Sequence, residues 1–178
     1  MADTQQSMQD LLDGLADNCS GQITPQLLRD MLISLNLSAG FMWLTSSVEN
    51  EIDNAGTFYK INGTTEAPYL NRFTHSNNRL TFVGGAPLRV FVLANPVASI
   101  EQGSEKQLAV RIAKNGTTEA NSESHRHMNS SNDIGAIPSF ASFLLEPDDY
   151  IEVFISNETD DVDVTVEHMQ VLAFGQNQ

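Results

Sequence analysis

The chain has 178 residues, 40% of them hydrophobic, which is enough for one domain with a full core and too apolar for a disordered segment. Its 23 Asp and Glu against 9 Lys and Arg give a net charge of −14, which repels phosphate backbones and anionic lipid, so neither direct nucleic-acid binding nor membrane association is expected. The single cysteine, Cys19, excludes an internal disulfide framework and a multi-cysteine zinc site, and no run approaches the roughly 18 uninterrupted apolar residues of a membrane helix.

The start, Met1-Ala2-Asp3-Thr4-Gln5-Gln6, carries no basic region followed by an apolar one, so a secretory signal is not expected and synthesis in a reducing cytoplasm is. Residues 1–38 then read as a helical segment. Met8, Leu11, Leu12 and Leu15 recur at helical spacing behind a cap at Asp3 or Thr4, and Asn18-Cys19-Ser20-Gly21 stops the run. Thr24-Pro25 opens a second helix whose apolar positions are Leu27, Leu28, Met31, Leu32 and Leu35. Two short amphipathic helices cannot form a core of their own. They must dock on the body, on a sister subunit or on another protein.

From residue 39 to 178 the period changes to that of strands. Short runs at Gly40 to Ser47, Phe58 to Ile61, around Phe73 and at Leu80 to Val83 precede five stronger ones: Leu88 to Asn95, Gln107 to Lys114, Ser139 to Leu145, Tyr150 to Asn157 and Val162 to Phe174. Turn signals, including Asn62-Gly63 and Asn115-Gly116, separate them. Thr117 to Asp133 reads as a long polar loop. Eight or so strands with no helical pattern between them predict a mainly β domain, an antiparallel jelly-roll sandwich with a short N-terminal helical appendage.

Two of the strands are apolar on both faces. Leu88, Val90, Val92 and Ala94 share one face of their run, with Phe91 and Leu93 on the other. In the last run Val162, Val164 and Val166 keep one phase, while Met169, Val171 and Ala173 take the opposite one. A strand at a solvent boundary alternates apolar with polar, so the second face calls for another apolar surface, most simply a second copy of the chain. A β-bulge at the phase change, near His168, would account for part of that pattern.

The C-terminal half resembles the jelly roll shared by tumour necrosis factors and complement globular heads, in the version found in tailed-phage virion proteins. The residues that carry the resemblance are Asn78 to Phe82, Leu108 to Gly116, Leu145 to Asn157 and the closing Val162-to-Phe174 strand. Ala16 to Asn18, Gly21 to Gln26, Leu28 to Asp30 and Ser34-Leu35 look like a start seen on many phage structural proteins. Where the family often has Gly-Asp before the Tyr150 strand, this chain has Asp148-Asp149.

The resemblance implies a compact homotrimer with aromatic and aliphatic residues along its three-fold axis. It also implies a virion location, with another virion protein, the major capsid protein first, as partner. The expected function is capsid decoration or cementing, and the alternative is the receptor-binding knob of a head or tail fibre. On this reading Phe91, Leu93, Met169 and Val171 are candidates for the trimer interface. Leu11, Leu12, Leu27, Leu28, Met31 and Leu32 are candidates for docking.

Asp160, Asp161 and Asp163, in the turn that begins at Asn157, could offer hard oxygens to calcium, but the turn lacks the glycine and distal Glu of an EF-hand and reads better as an ordinary acidic hairpin. His125 and His127 have the spacing to face one metal from a strand, yet they stand in a polar stretch without cysteine. No G-x-S-x-G, H-E-x-x-H or phosphate-binding glycine loop occurs, so neither an enzyme nor a cofactor is expected.

Overall fold

A computed structural model describes residues 29–31, 37–100, 102–131 and 133–175. Helical backbone is found at 29–31, the one part of the expected docking segment described apart from Leu37 and Ser38; Met31 is half-buried there. Leu11, Leu12, Leu27, Leu28 and Leu32 lie outside the described residues.

Among the described residues fourteen strands follow in chain order. They are β1 (Ser38–Leu44), β2 (Val48–Asn50), β3 (Tyr59–Lys60), β4 (Thr65–Asn71), β5 (Phe73–Ser76), β6 (Arg79–Phe82) and β7 (Leu88–Ile100), then β8 (Lys106–Lys114), β9 (Thr117–Thr118), β10 (Ser124–Met128), β11 (Gly135–Ala136), β12 (Ser139–Leu145), β13 (Tyr150–Asn157) and β14 (Val164–Gly175). All pairings are antiparallel.

Sheet I runs β12-β7-β14-β1-β4, with β11 also on β7 and β2 also on β14. Sheet II runs β10-β8-β13-β6-β5, with β3 on β13 and β9 on β8. Apart from the β5–β6 and β8–β9 hairpins, most neighbours in each sheet are far apart in sequence, as in a jelly roll, and the two sheets face each other across a single apolar layer.

That layer follows from the alternation. Leu88, Val90, Val92 and Ala94 of β7, Ala141, Phe143 and Leu145 of β12, and Met42 and Leu44 of β1 point inward from sheet I. Leu108, Val110 and Ile112 of β8 and Ile151, Val153 and Ile155 of β13 meet them from sheet II. Phe73 and Phe82 close one end with ring centroids 5.5 Å apart. Each such side chain contributes roughly 1.5–3 kcal/mol by leaving water.

The last strand resolves the phase change. The β14–β7 register shifts between Val166 and His168, a bulge that inserts one residue and turns the strand over. Val164 and Val166 before it and Met169, Val171 and Ala173 after it therefore all point into the core. Met169 and Val171 are 2% and 0% exposed, so neither is available to the trimer contact for which it was a candidate. The apolar signal on both phases of this strand is one inward face read through a bulge.

Thr117 to Asp133 is more ordered than its composition suggests. It holds β9, a 3-10 turn at Ala120–Ser122 and β10, which pairs with β8 from Ser124↔Val110 to Met128↔Lys106. Polar composition hid β10 because an edge strand exposes one ladder side and most of its side chains. Asn115 and Gly116, at φ +53° and +77°, make the two-residue turn that starts this arm.

Candidate self-association face

The outer face of sheet I is where apolar side chains remain in the open. The strand registers set five of them in one line across the sheet: Tyr69 on β4, Phe41 on β1, Leu172 on β14, Leu93 on β7 and Phe140 on β12. Tyr69, Leu93 and Phe140 are 52%, 49% and 73% exposed, and Phe41 and Leu172 are half-buried. The next line over contains Ala39, Phe174, Phe91 and Ser142, with the Phe91 and Phe174 rings 5.9 Å apart. A groove of about 510 Å³ opens between Phe41, Leu93, Phe140 and Leu172, with Asn95 and Gln170 at its polar margin.

This face changes character along the strands. Beyond the two apolar lines, Glu66, Trp43, Gln170 and Asn95 form a mostly polar line; at the other end Arg89 stands opposite Leu144. An apolar band crossing five strands and rimmed by polar groups is the surface signature of a protein contact, since isolated exposed hydrophobics do not align in register.

Of the four interface candidates, Phe91 and Leu93 lie on this face and Met169 and Val171 lie behind it. Phe41, Tyr69, Phe140, Leu144 and Leu172 were missed. Phe140 and Leu144 were open to detection, because Ser139–Leu145 has apolar residues in both phases, as Leu88 to Asn95 does. Phe41 and Tyr69 were not, because Trp43 and Met42 beside Phe41 and Pro68 and Leu70 beside Tyr69 blur any alternation.

The remaining candidates do not assemble into chemistry. Asp160 ion-pairs with Lys106 and accepts a hydrogen bond of 2.8 Å from Asn157 Nδ2. Burial alone would raise its pKa, but the Lys106 ammonium and the Val162 amide hold it below the ordinary carboxylate range. Asp163 Oδ1 instead accepts the Ile52 amide at 2.8 Å, and Asp161 is exposed. Asp160 and Asp163 are committed in different directions, and among the described residues no group of three or more His, Cys, Asp and Glu is placed to hold a metal.

His125 has both ring nitrogens engaged, Nε2 with Glu123 Oε1 at 2.6 Å and Nδ1 with Gln107 Nε2 at 2.9 Å. His127 faces Glu105 at 3.4 Å. The pair does not converge on a metal.

On the outer face of sheet II the pattern is polar and ion-paired. Glu152, 2% exposed, lies between Lys60 Nζ at 2.6 Å and Arg79 Nη2 at 3.1 Å. The Arg79 guanidinium sits 4.1 Å over the Tyr150 ring, and that of Arg111 sits 4.2 Å over Phe58. These contacts use cations to cover sheet II, leaving sheet I as the apolar exterior.

No family model and no curated protein matches the chain. Solved structures do match its fold. Murine APRIL aligns over 78% of this chain and 98% of its own at 11% identity, with a TM-score of 0.50. The Eiger TNF of S. frugiperda aligns over 77% and 91% at 11% identity, again with a TM-score of 0.50. A PRD1 vertex protein aligns over 79% and 97% at 9% identity, with a TM-score of 0.49. The chain has the fold class of murine APRIL and the Eiger TNF, a TNF-like antiparallel jelly-roll sandwich. Among the described residues no helix is long and apolar enough to cross a membrane.

Proposed function

We propose that the chain is a structural protein of a tailed-phage virion, a homotrimer that decorates or cements the capsid. One observation carries the self-association: the registered line Tyr69–Phe41–Leu172–Leu93–Phe140 on the outer face of sheet I. A second copy suits this face on electrostatic grounds. The chain carries −14, so two copies repel across most of their surfaces, whereas here charged groups stand at the margins of an uncharged band. The three-fold order and the virion setting come from the resemblance read in Asn78 to Phe82, Leu108 to Gly116 and Leu145 to Asn157.

The mechanism on this reading is geometric. A trimer fits the three-fold and quasi-three-fold positions of a capsid lattice without breaking symmetry, and three modest contacts at high effective concentration outlast one. The sheet I faces supply the trimer core, and the N-terminal segment docks on the major capsid protein or another virion protein.

Sedimentation equilibrium tests the first step. The protein should sediment as a trimer at micromolar concentration, and Phe140→Asp, which places a charge on the most exposed side chain of the line, should give a folded monomer. A wild-type monomer would overturn the reading. Copy number per virion tests the second: hundreds support decoration, whereas a few to a few dozen make it a fibre or vertex protein.

A further inference from the structure

At one end of the sheet I face, charges of opposite sign stand without partners among the described residues. Lys60, Arg79, Lys106, Arg111, Lys114 and Arg126 each meet a carboxylate. Arg89 meets none among the described residues, although it points outward from β7 beside Phe91 and opposite Leu144. Just past Leu144 and Leu145 comes the turn Glu146-Pro147-Asp148-Asp149. Asp149 is taken by Lys114 Nζ at 2.6 Å and Asn115 Nδ2 at 2.5 Å, while Glu146 and Asp148 are exposed and meet no cation among the described residues.

We infer that Arg89 of one copy pairs with the Glu146–Asp148 turn of the next around a cyclic assembly. This rests on the homotrimer reading and specifies its contact. The apolar lines run across the strands and the polar margins lie at the strand ends. Three such faces therefore match apolar to apolar only if the rotation axis runs roughly along the strands. Rotation about that axis leaves every residue at its own height. Arg89 can then meet only groups at its own end of the sandwich, and the register puts the Glu146 turn there, because Leu144 pairs with Arg89 and Leu145 with Leu88.

The β12 edge that carries the turn has Phe140, the most exposed large hydrophobic of the face, on the same strand, so the edge of one copy meets the β7 face of its neighbour. The pair has two effects. It removes an unpartnered cation from the rim of an apolar contact, and it sets the rotational direction, since the head-to-tail match of Arg89 to the turn closes only in one sense.

Charge reversal tests this by sedimentation and native mass spectrometry. Arg89→Glu should raise the dissociation constant at least about tenfold, with its circular dichroism unchanged because the side chain is exposed. The double variant Glu146→Arg with Asp148→Asn should do the same; Asn tolerates the φ of +70° at position 148. Mixing the two variant proteins should then give mixed trimers in excess of random assortment, because each junction between unlike chains restores an opposite-charge pair. Wild-type trimers with no loss in either variant, or variants that mix at random, would overturn the pairing and leave the trimer standing. A monomeric wild type would overturn the trimer itself.

Discussion

Asn78 sits with Asn77 in the two-residue turn between β5 and β6, both at positive φ (+53° and +48°), the backbone that such hairpins require. Its side chain does more than shape the turn. Nδ2 donates to the Gly63 carbonyl at 2.8 Å and the Ile61 carbonyl at 3.3 Å, and Oδ1 accepts from Thr65 Oγ1 at 2.8 Å. A hairpin tip of sheet II is thereby tied to the segment that leads into β4 of sheet I.

Replacing Asn78 by Gly keeps the left-handed backbone but strands two carbonyls, at a cost of about 2 kcal/mol; Ala adds the positive-φ penalty, for about 3 kcal/mol. Urea unfolding of the two variants separates these effects, and equal stability of wild type and both variants would show that the side chain carries no load. Asn78 stood within the residues that carry the resemblance, but its bracing role was not legible. Its partners lie 13 to 17 positions away with no periodic relation to it.

At the scale of elements, what could be read depended on whether one sheet face was buried. β7, β8, β12 and β13 alternate or run apolar and were visible from composition alone. β4 and β10 escaped because each is an edge strand with exposed, mixed side chains, and β4 even carries Pro68. β14 was visible, but its two phases meant a bulge at His168 and not a second apolar face; on β7 the second apolar face is there and stands in the open. Of the proposed interface set, Phe91 and Leu93 point outward and Met169 and Val171 point inward.

The connections around β8 and β10 carry a second prediction at this scale. Three cations of β8 each clamp a different arm: Lys106 holds Asp160, Arg111 holds Glu123 and Lys114 holds Asp149; Arg126 of β10 holds Asp133. For Asp160, Glu123 and Asp149, burial pushes the pKa up and the facing cations and hydrogen bonds more than offset it. Asp133 is lowered first by the Asn129 amide and then by Arg126.

A carboxyl whose folded pKa is depressed contributes stability that is complete above its unfolded pKa of about 4 and is lost as pH falls through the folded value. The urea midpoint should therefore drop as the pH falls from about 5 to about 2, although protonation also relieves part of the −14 self-repulsion. Asp149→Asn with Asp160→Asn isolates the clamps: the variant should start less stable and lose less on acidification. An equal acid slope in wild type and variant would remove the clamps as its cause.

For the whole molecule the argument turns on division of surfaces. Sheet II is covered by paired charges and sheet I by the apolar band, so the proposed self-association would use a face that leaves the charged surface of sheet II free. Composition showed the charge excess and one strand showed the extra apolar face. The line across five strands could not be read from the sequence, because it depends on registers between strands remote from one another. If the N-terminal segment is the docking element, assembly and attachment are separable. Removing residues 1–36 should then leave a trimer that sediments at the mass of three shortened chains with unchanged melting, because β1 begins at Ser38. The truncated trimer should fail to bind purified capsids, with the full-length protein binding in the same assay. Because attachment of a trimer is an avidity effect, trimers mixed from full-length and truncated chains should bind with affinity falling steeply with the number of truncated arms. Capsid binding by the fully truncated protein would move the docking role from the N-terminal segment to the sandwich.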